Sequence, residues 1–193
     1  MDEFVAGLIL TDGLDARDLA ELVDSYNDQK RLIGIGQALA SERDPDRLVR
    51  MILEASMDIT GADAGSVFLV EEGPTCCMLR FAWTRTISLH VDYEEFIMPA
   101  DRNSIAGYVA LTGQTLNIAD VRDIDSAEPY SFNAAFDKKN GYLTRSMLVV
   151  PMRDNKGRVL GVVQLINSKE LPGADASTAS REIFLYSEHD FLN

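Results

Sequence analysis

The chain has 193 residues, 46% of them hydrophobic, which is enough for one well-packed domain with a short extension. Its 31 acidic and 18 basic residues give a formal net charge of −13, so we expect no nucleic-acid partner and no anionic membrane partner, since both require basic surfaces. No apolar run approaches the roughly 20 residues that a membrane helix needs.

The N-terminus and the cysteines indicate the cellular compartment. The first residues, MDEFVAGLIL, are acidic and carry no basic leader, unlike a secretory signal. The two cysteines, Cys76 and Cys77, are adjacent and cannot close a loop between distant segments. We therefore expect a cytoplasmic protein.

The first predicted helix is long. Residues 14–39 contain no proline and carry a heptad-like seam formed by Leu19, Leu22, Tyr26 and Ile33. A second apolar stripe lies on another face of the same helix. We predict that one stripe contacts a second copy of the chain, giving a homodimer, although packing of this helix on its own domain is the alternative.

A second helix is predicted within residues 44–61, DPDRLVRMILEASMDITG. Asp44 is a favourable N-cap, Pro45 suits the first helical position, and Gly61 is a typical C-terminal stop. Strands follow at 66–70 and 93–99, with a third at CCMLRFAW, where Cys77, Leu79, Phe81 and Trp83 alternate. The alternation predicts one half-buried face, and it makes Cys77 a small core residue rather than a redox group.

The stretch SIAGYVALTG, residues 104–113, predicts a short helix capped by Ser104 and ended by Gly113. After Ile105, its first turn carries almost no side chain, because Ala106 and Gly107 follow. Bare amides at a helix N-terminus favour a phosphate or a carboxylate. Tight packing around Gly107 is the alternative explanation.

A strand is predicted around 115–118, followed by a polar stretch that reaches Tyr142. Residues 120–142 are called the lid segment here. Loops of more than about 15 residues are usually functional or disordered, and the four aromatic residues of this stretch argue against disorder. The lid segment therefore either folds over a flat ligand or is an ordinary surface segment anchored by its rings.

A hairpin completes the predicted sheet. RSMLVVPM and RVLGVVQLIN are joined by RDNKG, in which Gly157 supplies the positive φ of the turn. Loop residues follow Lys169, and a last helix is predicted to begin within 181–193 and to continue in a longer protein. The order of elements predicts an α+β fold with an antiparallel sheet.

Catalytic patterns are absent from the sequence. His90 and His189 are the only histidines and have no metal-ligand neighbours at a fixed spacing, and neither GxSxG nor a P-loop occurs. The aspartates at 120, 123 and 125 fit a solvated turn better than a calcium loop. We therefore expect no catalytic residues, no metal site and no enzymatic activity from this chain, and a binding module is the favoured class.

The order and spacing of three motifs resemble the GAF domain, a regulatory module of cyclic-nucleotide phosphodiesterases and many bacterial signalling proteins. The motifs are SIAGYVALTGQTLNIADV, FNAAFDKKNGYLTRSMLVVPM and GRVLGVVQLINSK. The resemblance covers residues 30–193 as a sensory domain and leaves residues 1–29 as an N-terminal helical extension. It implies a central antiparallel sheet with helices on one face and a ligand pocket on the other.

The resemblance also implies a binding site. In nucleotide-binding members, the ligand phosphate sits at the start of the helix that matches 104–112, and the segment that matches 120–142 closes over it. The implied ligand-binding residues are Ser104, Ile105, Ala106, Gly107, Asp120, Phe132, Phe136, Asp137 and Tyr142.

The resemblance leaves the ligand open. The Asn-Lys, Phe, Asp-Glu signature of cyclic-nucleotide-binding members is degenerate here: Asn167 is in place, Lys169 comes one residue late, and Phe191 stands at the glutamate position. We expect a regulatory domain that binds an anionic small molecule, with cAMP and cGMP as candidates, and that controls an effector domain downstream. The alternatives are a dimerisation scaffold without a ligand and a small redox or hydrolytic enzyme.

Overall fold

The computed structural model describes residues 16–73, 76–89 and 95–168. The chain divides into two compact units, Met1–Arg43 and Asp44–Asn193. Helix α1, Ala16–Ser41, belongs to the first unit, and the boundary predicted after residue 29 falls inside it. The predicted C-terminal helix lies outside the described residues. Within the described ranges, no helix has the length and apolarity that crossing a membrane requires.

Helix α2, Pro45–Thr60, begins and ends where its caps predict. The Asp44 carboxylate accepts a hydrogen bond from the Asp46 amide at 3.0 Å, and Pro45 occupies the first position. Gly61 ends the helix at a φ of 64°, and its N–H donates to the Met57 carbonyl. This left-handed conformation is the reason for glycine here.

Six strands form one sheet in the order β3-β2-β1-β6-β5-β4, and every neighbouring pair is antiparallel. This confirms the predicted α+β fold. The strands are β1 (Ala62–Glu72), β2 (Cys77–Thr86), β3 (Ile97–Pro99), β4 (Leu116–Ile118), β5 (Met147–Arg153) and β6 (Val159–Ser168). The remaining elements are α3 (Ile105–Thr112), a 3₁₀ turn (Val121–Asp123) and α4 (Ala135–Asn140).

The sheet has a hydrophobic core on each face. On one face, α2 packs Leu53 and Met57 against Val67, Leu148 and Leu165. On the other face, α3 and part of the lid segment cover the sheet, and the core there includes Phe68, Leu79, Ile105, Val109 and Val149. The second face is the one on which a ligand pocket is predicted.

Strand β2 does not keep the single buried face that its alternation predicts. Leu79 and Phe81 belong to the core beneath α3, whereas Trp83 belongs to the core beneath α2. The register explains the change, because Val67 pairs with Trp83 and Phe68 pairs with Phe81. Ala82 is therefore the extra residue of a β-bulge, and a bulge moves the following side chains to the opposite face.

Candidate functional site

The start of helix α3 is a closed turn built around Asp101 and Ser104. The Ser104 hydroxyl accepts a hydrogen bond from the Gly107 amide at 3.0 Å and donates to the Asp101 carbonyl at 2.9 Å. Gly113 ends the helix at a φ of 71°. Both predicted caps are therefore present. The side chains of Ile105 and Ala106, each 4% exposed, lie in the core rather than at the surface.

Gly107 has a packing role. A Cβ atom placed there would lie 2.0 Å from the Asp101 carbonyl oxygen and 2.6 Å from the Ser104 hydroxyl oxygen. Only glycine lets the 101–104 turn approach the helix this closely. Tight packing therefore explains part of the bare first turn, and the Ile105 and Ala106 amides stay the predicted contacts of an anion.

The lid segment begins with a tight ion pair. The Asp120 carboxylate caps the 3₁₀ turn by accepting from the Arg122 amide at 3.0 Å, and it also accepts from the Arg122 Nε at 2.8 Å. This side-chain bond to the guanidinium lowers the pKa of Asp120 to about 2. Asp120 is thus ionised at neutral pH, and its carboxylate is already hydrogen-bonded to Arg122. A role for Asp120 in ligand binding stays a prediction.

The middle of the lid segment crosses the start of α3. The Ser131 amide donates to the Asn103 carbonyl at 2.8 Å, and Ser131 forms an isolated parallel bridge with Ser104. Next to this crossing, Phe132 packs against the core beneath α3. Sequence reasoning placed the helix start and the lid segment at one site, and the chain brings them into contact here.

A cleft of about 400 Å³ lies at this crossing, lined by Asn103 and much of the segment 121–132. We call it the Arg122 cleft. Arg122 is the only cationic side chain among its lining residues in the part of the chain that the structure describes, and Asp125 and Glu128 also line it. Burial and the charge of Glu128 raise the pKa of Tyr130, another lining residue. The cleft thus combines one guanidinium with aromatic and acidic groups.

The end of the lid segment lies apart from the lining of the cleft. Phe136, Asp137 and Tyr142 are not among the residues that line it. The Asp137 carboxylate instead accepts from the amide and the hydroxyl of Thr144, at 2.8 and 2.9 Å. The Tyr142 ring meets Phe136 edge-on at 6.4 Å. A role for these three residues in ligand binding stays a prediction.

Sequence reasoning missed Asn103, Arg122 and Ser131 as cleft residues, whereas Tyr130 was one of the four aromatic residues noted in the lid segment. One local signal could have predicted the ion pair, namely that Arg122 follows the capping residue Asp120 by two positions. Among the described residues, no group of three or more histidine, cysteine, aspartate and glutamate side chains could hold a metal ion.

Comparison with known proteins identifies the family. A model of the GAF domain matches residues 44–185. The chain is 29% identical over 150 residues to the dual 3',5'-cyclic-AMP and -GMP phosphodiesterase 11 of Drosophila melanogaster, which covers 72% of this chain and 10% of that protein. It is 35% identical over 137 residues to the cGMP-specific 3',5'-cyclic phosphodiesterase of the same organism, covering 67% of this chain and 12% of that protein.

The chain therefore spans about a tenth of the length of these relatives. Among solved structures, the A. aeolicus nlh2 GAF domain in an inactive state superposes with a TM-score of 0.56 at 17% identity, covering 76% of this chain and 83% of that one. That likeness supports the fold alone. Because the family model covers most of its length, the chain belongs to the GAF domain family.

Proposed function

We propose that the chain is a regulatory module that binds a small anionic ligand and controls an effector domain of a longer protein. Cyclic nucleotides are the ligand class that we propose, because the relatives named above are cyclic-nucleotide phosphodiesterases. The observation that carries the proposal is the Arg122 cleft, which has Arg122 in its lining and lies where the lid segment crosses the start of α3. Its volume, about 400 Å³, is in the range of small-molecule sites.

Arg122 is the group of the cleft lining that favours an anionic ligand, whereas the carboxylates of Asp125 and Glu128 in the same lining oppose one. A guanidinium forms charge-assisted hydrogen bonds with phosphate, and the N-terminal end of α3 adds partial positive charge. Because Asp120 already bonds Arg122, a ligand phosphate competes with that carboxylate. Tyr130 and Phe132 offer apolar surface for a flat ring.

A titration with cyclic nucleotides tests the proposal. We expect cAMP or cGMP to raise the melting temperature, since a ligand that binds only the folded state stabilises it by about 2.7 kcal/mol at 100 times its Kd. Adenosine and guanosine, which lack the phosphate, are the matched controls. No shift with either nucleotide at millimolar concentration would contradict the proposal.

The same titration tests the enzymatic alternative. The nucleotides should be recovered unchanged by chromatography after prolonged incubation, because we propose a regulatory rather than a catalytic role. Substrate loss that follows the purified chain would contradict this role.

A dimerisation scaffold is the second candidate function, and helix α1 favours it. Three members of the predicted seam, Leu22, Tyr26 and Ile33, are 43%, 48% and 62% exposed. Large apolar side chains at such spacing suit a helix that pairs with a second copy. Ligand binding and dimerisation are compatible, because they use different elements.

The double variant Leu22→Lys/Tyr26→Lys should shift the chain from dimer to monomer, because it places two charges in the seam. Light scattering at a matched protein concentration measures the change. Asp24→Lys/Asp28→Lys is the matched control, since it changes two exposed residues of the same helix outside the seam. A wild-type chain that stays monomeric at high micromolar concentration would contradict dimerisation.

A further inference from the structure

The end of the lid segment is held by a partly buried polar cluster, whose residues do not line the Arg122 cleft. At its centre lies Asp63, the second residue of β1, which is only 5% exposed. The Tyr142 hydroxyl donates to the Asp63 Oδ2 at 3.0 Å, and the Ser88 hydroxyl donates to the same oxygen. A carboxylate this deeply buried requires such donors, because desolvation otherwise disfavours its charge.

Asn167 joins the cluster from strand β6. Its side-chain amide nitrogen donates to the Leu143 carbonyl at 2.8 Å and to the Tyr142 hydroxyl at 3.2 Å. Its side-chain oxygen accepts from the Arg145 amide at 2.8 Å. Asn167 has a φ of 52°, a conformation that asparagine tolerates better than most residues. Strand β1 therefore holds Tyr142, and strand β6 holds Tyr142, Leu143 and Arg145, all of which follow the lid helix α4.

The cluster also reaches helix α2. Ser168, the next residue of β6, donates from its hydroxyl to the Thr60 carbonyl at the end of α2, at 2.6 Å. The Asn167 amide donates to the Ser146 carbonyl at 3.0 Å. A displacement of Tyr142 would therefore disturb contacts that fix the end of β6.

We propose that Tyr142 is a positioning residue, whose hydroxyl anchors the end of the lid segment on Asp63 and couples this segment to the end of β6. The hydroxyl stays protonated and able to donate, because burial and the neighbouring Asp63 raise the pKa of Tyr142. The regulatory meaning of this anchor rests on the proposed function. The anchor itself rests on the contacts alone.

Hydrogen exchange of the ligand-free chain tests the anchor. Tyr142→Phe removes only the hydroxyl, and the loss of one hydrogen bond to a buried carboxylate should accelerate exchange of the amides in 133–145 about tenfold. The amide of Asn167 should also exchange faster, while the amides of β5 keep their wild-type rates. Asp63→Asn, which removes the charge of the acceptor, should accelerate the same amides.

Tyr108→Phe is the matched control, because the Tyr108 hydroxyl also donates a hydrogen bond, to the Gln114 side chain at 2.9 Å, outside the cluster. Its exchange rates in 133–145 should equal those of the wild type. Unchanged rates in Tyr142→Phe would overturn the proposal. Equal acceleration of β5 would also overturn it, since the hydroxyl would then contribute only to global stability.

Binding provides a separate measurement with cAMP and cGMP as probes. If the closed lid segment is needed for binding and is the less populated state of the ligand-free chain, Tyr142→Phe should weaken the affinity about tenfold, because it lowers the competent fraction by that factor. Wild-type affinity in this variant would overturn the coupling of the anchor to the site. If the wild type binds neither nucleotide, the proposed function fails, and the exchange experiment still decides whether the anchor exists.

Discussion

Gly107→Ala is expected to lower the free energy of unfolding by about 3 kcal/mol, the upper end of the cost of overpacking. The added Cβ would lie 2.0 Å from the Asp101 carbonyl oxygen and 2.7 Å from the Asp101 nitrogen. Both are backbone atoms, so no side chain can rotate away to relieve the clash. The 101–104 turn must move, and the Ser104 cap of α3 is lost with it. Denaturant unfolding followed by circular dichroism measures the change.

Gly36→Ala is the matched control for this substitution. Gly36 also lies inside a helix, but a Cβ there meets no atom within 4 Å. Alanine should therefore be neutral or should stabilise the chain by up to about 1 kcal/mol, through its higher helix propensity. If both variants lost equal stability, the close approach of the 101–104 turn would not be the cause.

Arg122→Gln is expected to weaken the binding of a cyclic nucleotide about 30-fold, a loss of ~2 kcal/mol that is typical of a hydrogen bond to a charged group. Asp120→Asn is expected to act in the opposite direction. It keeps a side-chain oxygen that can cap the 3₁₀ turn, but it removes the charge that competes with a ligand phosphate for the guanidinium. Calorimetric titration of both variants measures the two changes.

The opposite signs make this pair of variants decisive. Weaker binding in Arg122→Gln together with stronger binding in Asp120→Asn would place the phosphate at the guanidinium. Equal weakening in both variants would mean that the ion pair only maintains the shape of the lid segment. Wild-type affinity in both would remove Arg122 from the site.

The ion pair also has a defined pH dependence. In the folded chain the pKa of Asp120 falls from its ordinary value of 3.8 to about 2. A carboxyl whose pKa is lowered by folding stabilises the folded state above its unfolded pKa. That contribution is therefore present above about pH 4 and is lost as the pH falls toward 2. Asp120→Asn should remove this part of the acid dependence, which thermal unfolding between pH 2 and pH 5 can measure.

Helix ends that are fixed by neighbouring residues could be predicted from the sequence. The caps of α2 and α3 follow from residue types at adjacent positions, namely Asp44 with Gly61 and Ser104 with Gly113. The face of Trp83 could not be predicted, because the bulge at Ala82 depends on pairing with β1. Alternation within one strand carries no information about the register of its neighbour.

The candidate site likewise has features that could be predicted from the sequence and features that depend on distant residues. The family resemblance predicted that the start of α3 and the lid segment share one ligand site, and the structure has a bridge between Ser104 and Ser131 that joins these two segments. The packing role of Gly107 could not be predicted, because it depends on where the backbone of Asp101 lies. From the sequence alone, a helical glycine that faces a ligand cannot be distinguished from one that faces another backbone segment. Partners such as Asp63 for Tyr142 are distant along the chain, and no local pattern joins them.

The order of the strands has a consequence for synthesis on the ribosome. Strand β1, near the middle of the sheet, has β6 as one of its two neighbours, and Ala62 pairs with Ser168. Pairing between such distant residues slows folding, because a long loop must close first. The hairpin of β1 and β2 emerges early, yet the edge of β1 that pairs with β6 stays without its partner strand until β6 has been made. The nascent domain therefore passes through a stage in which a strand edge is unpaired, when aggregation and chaperone binding are favoured.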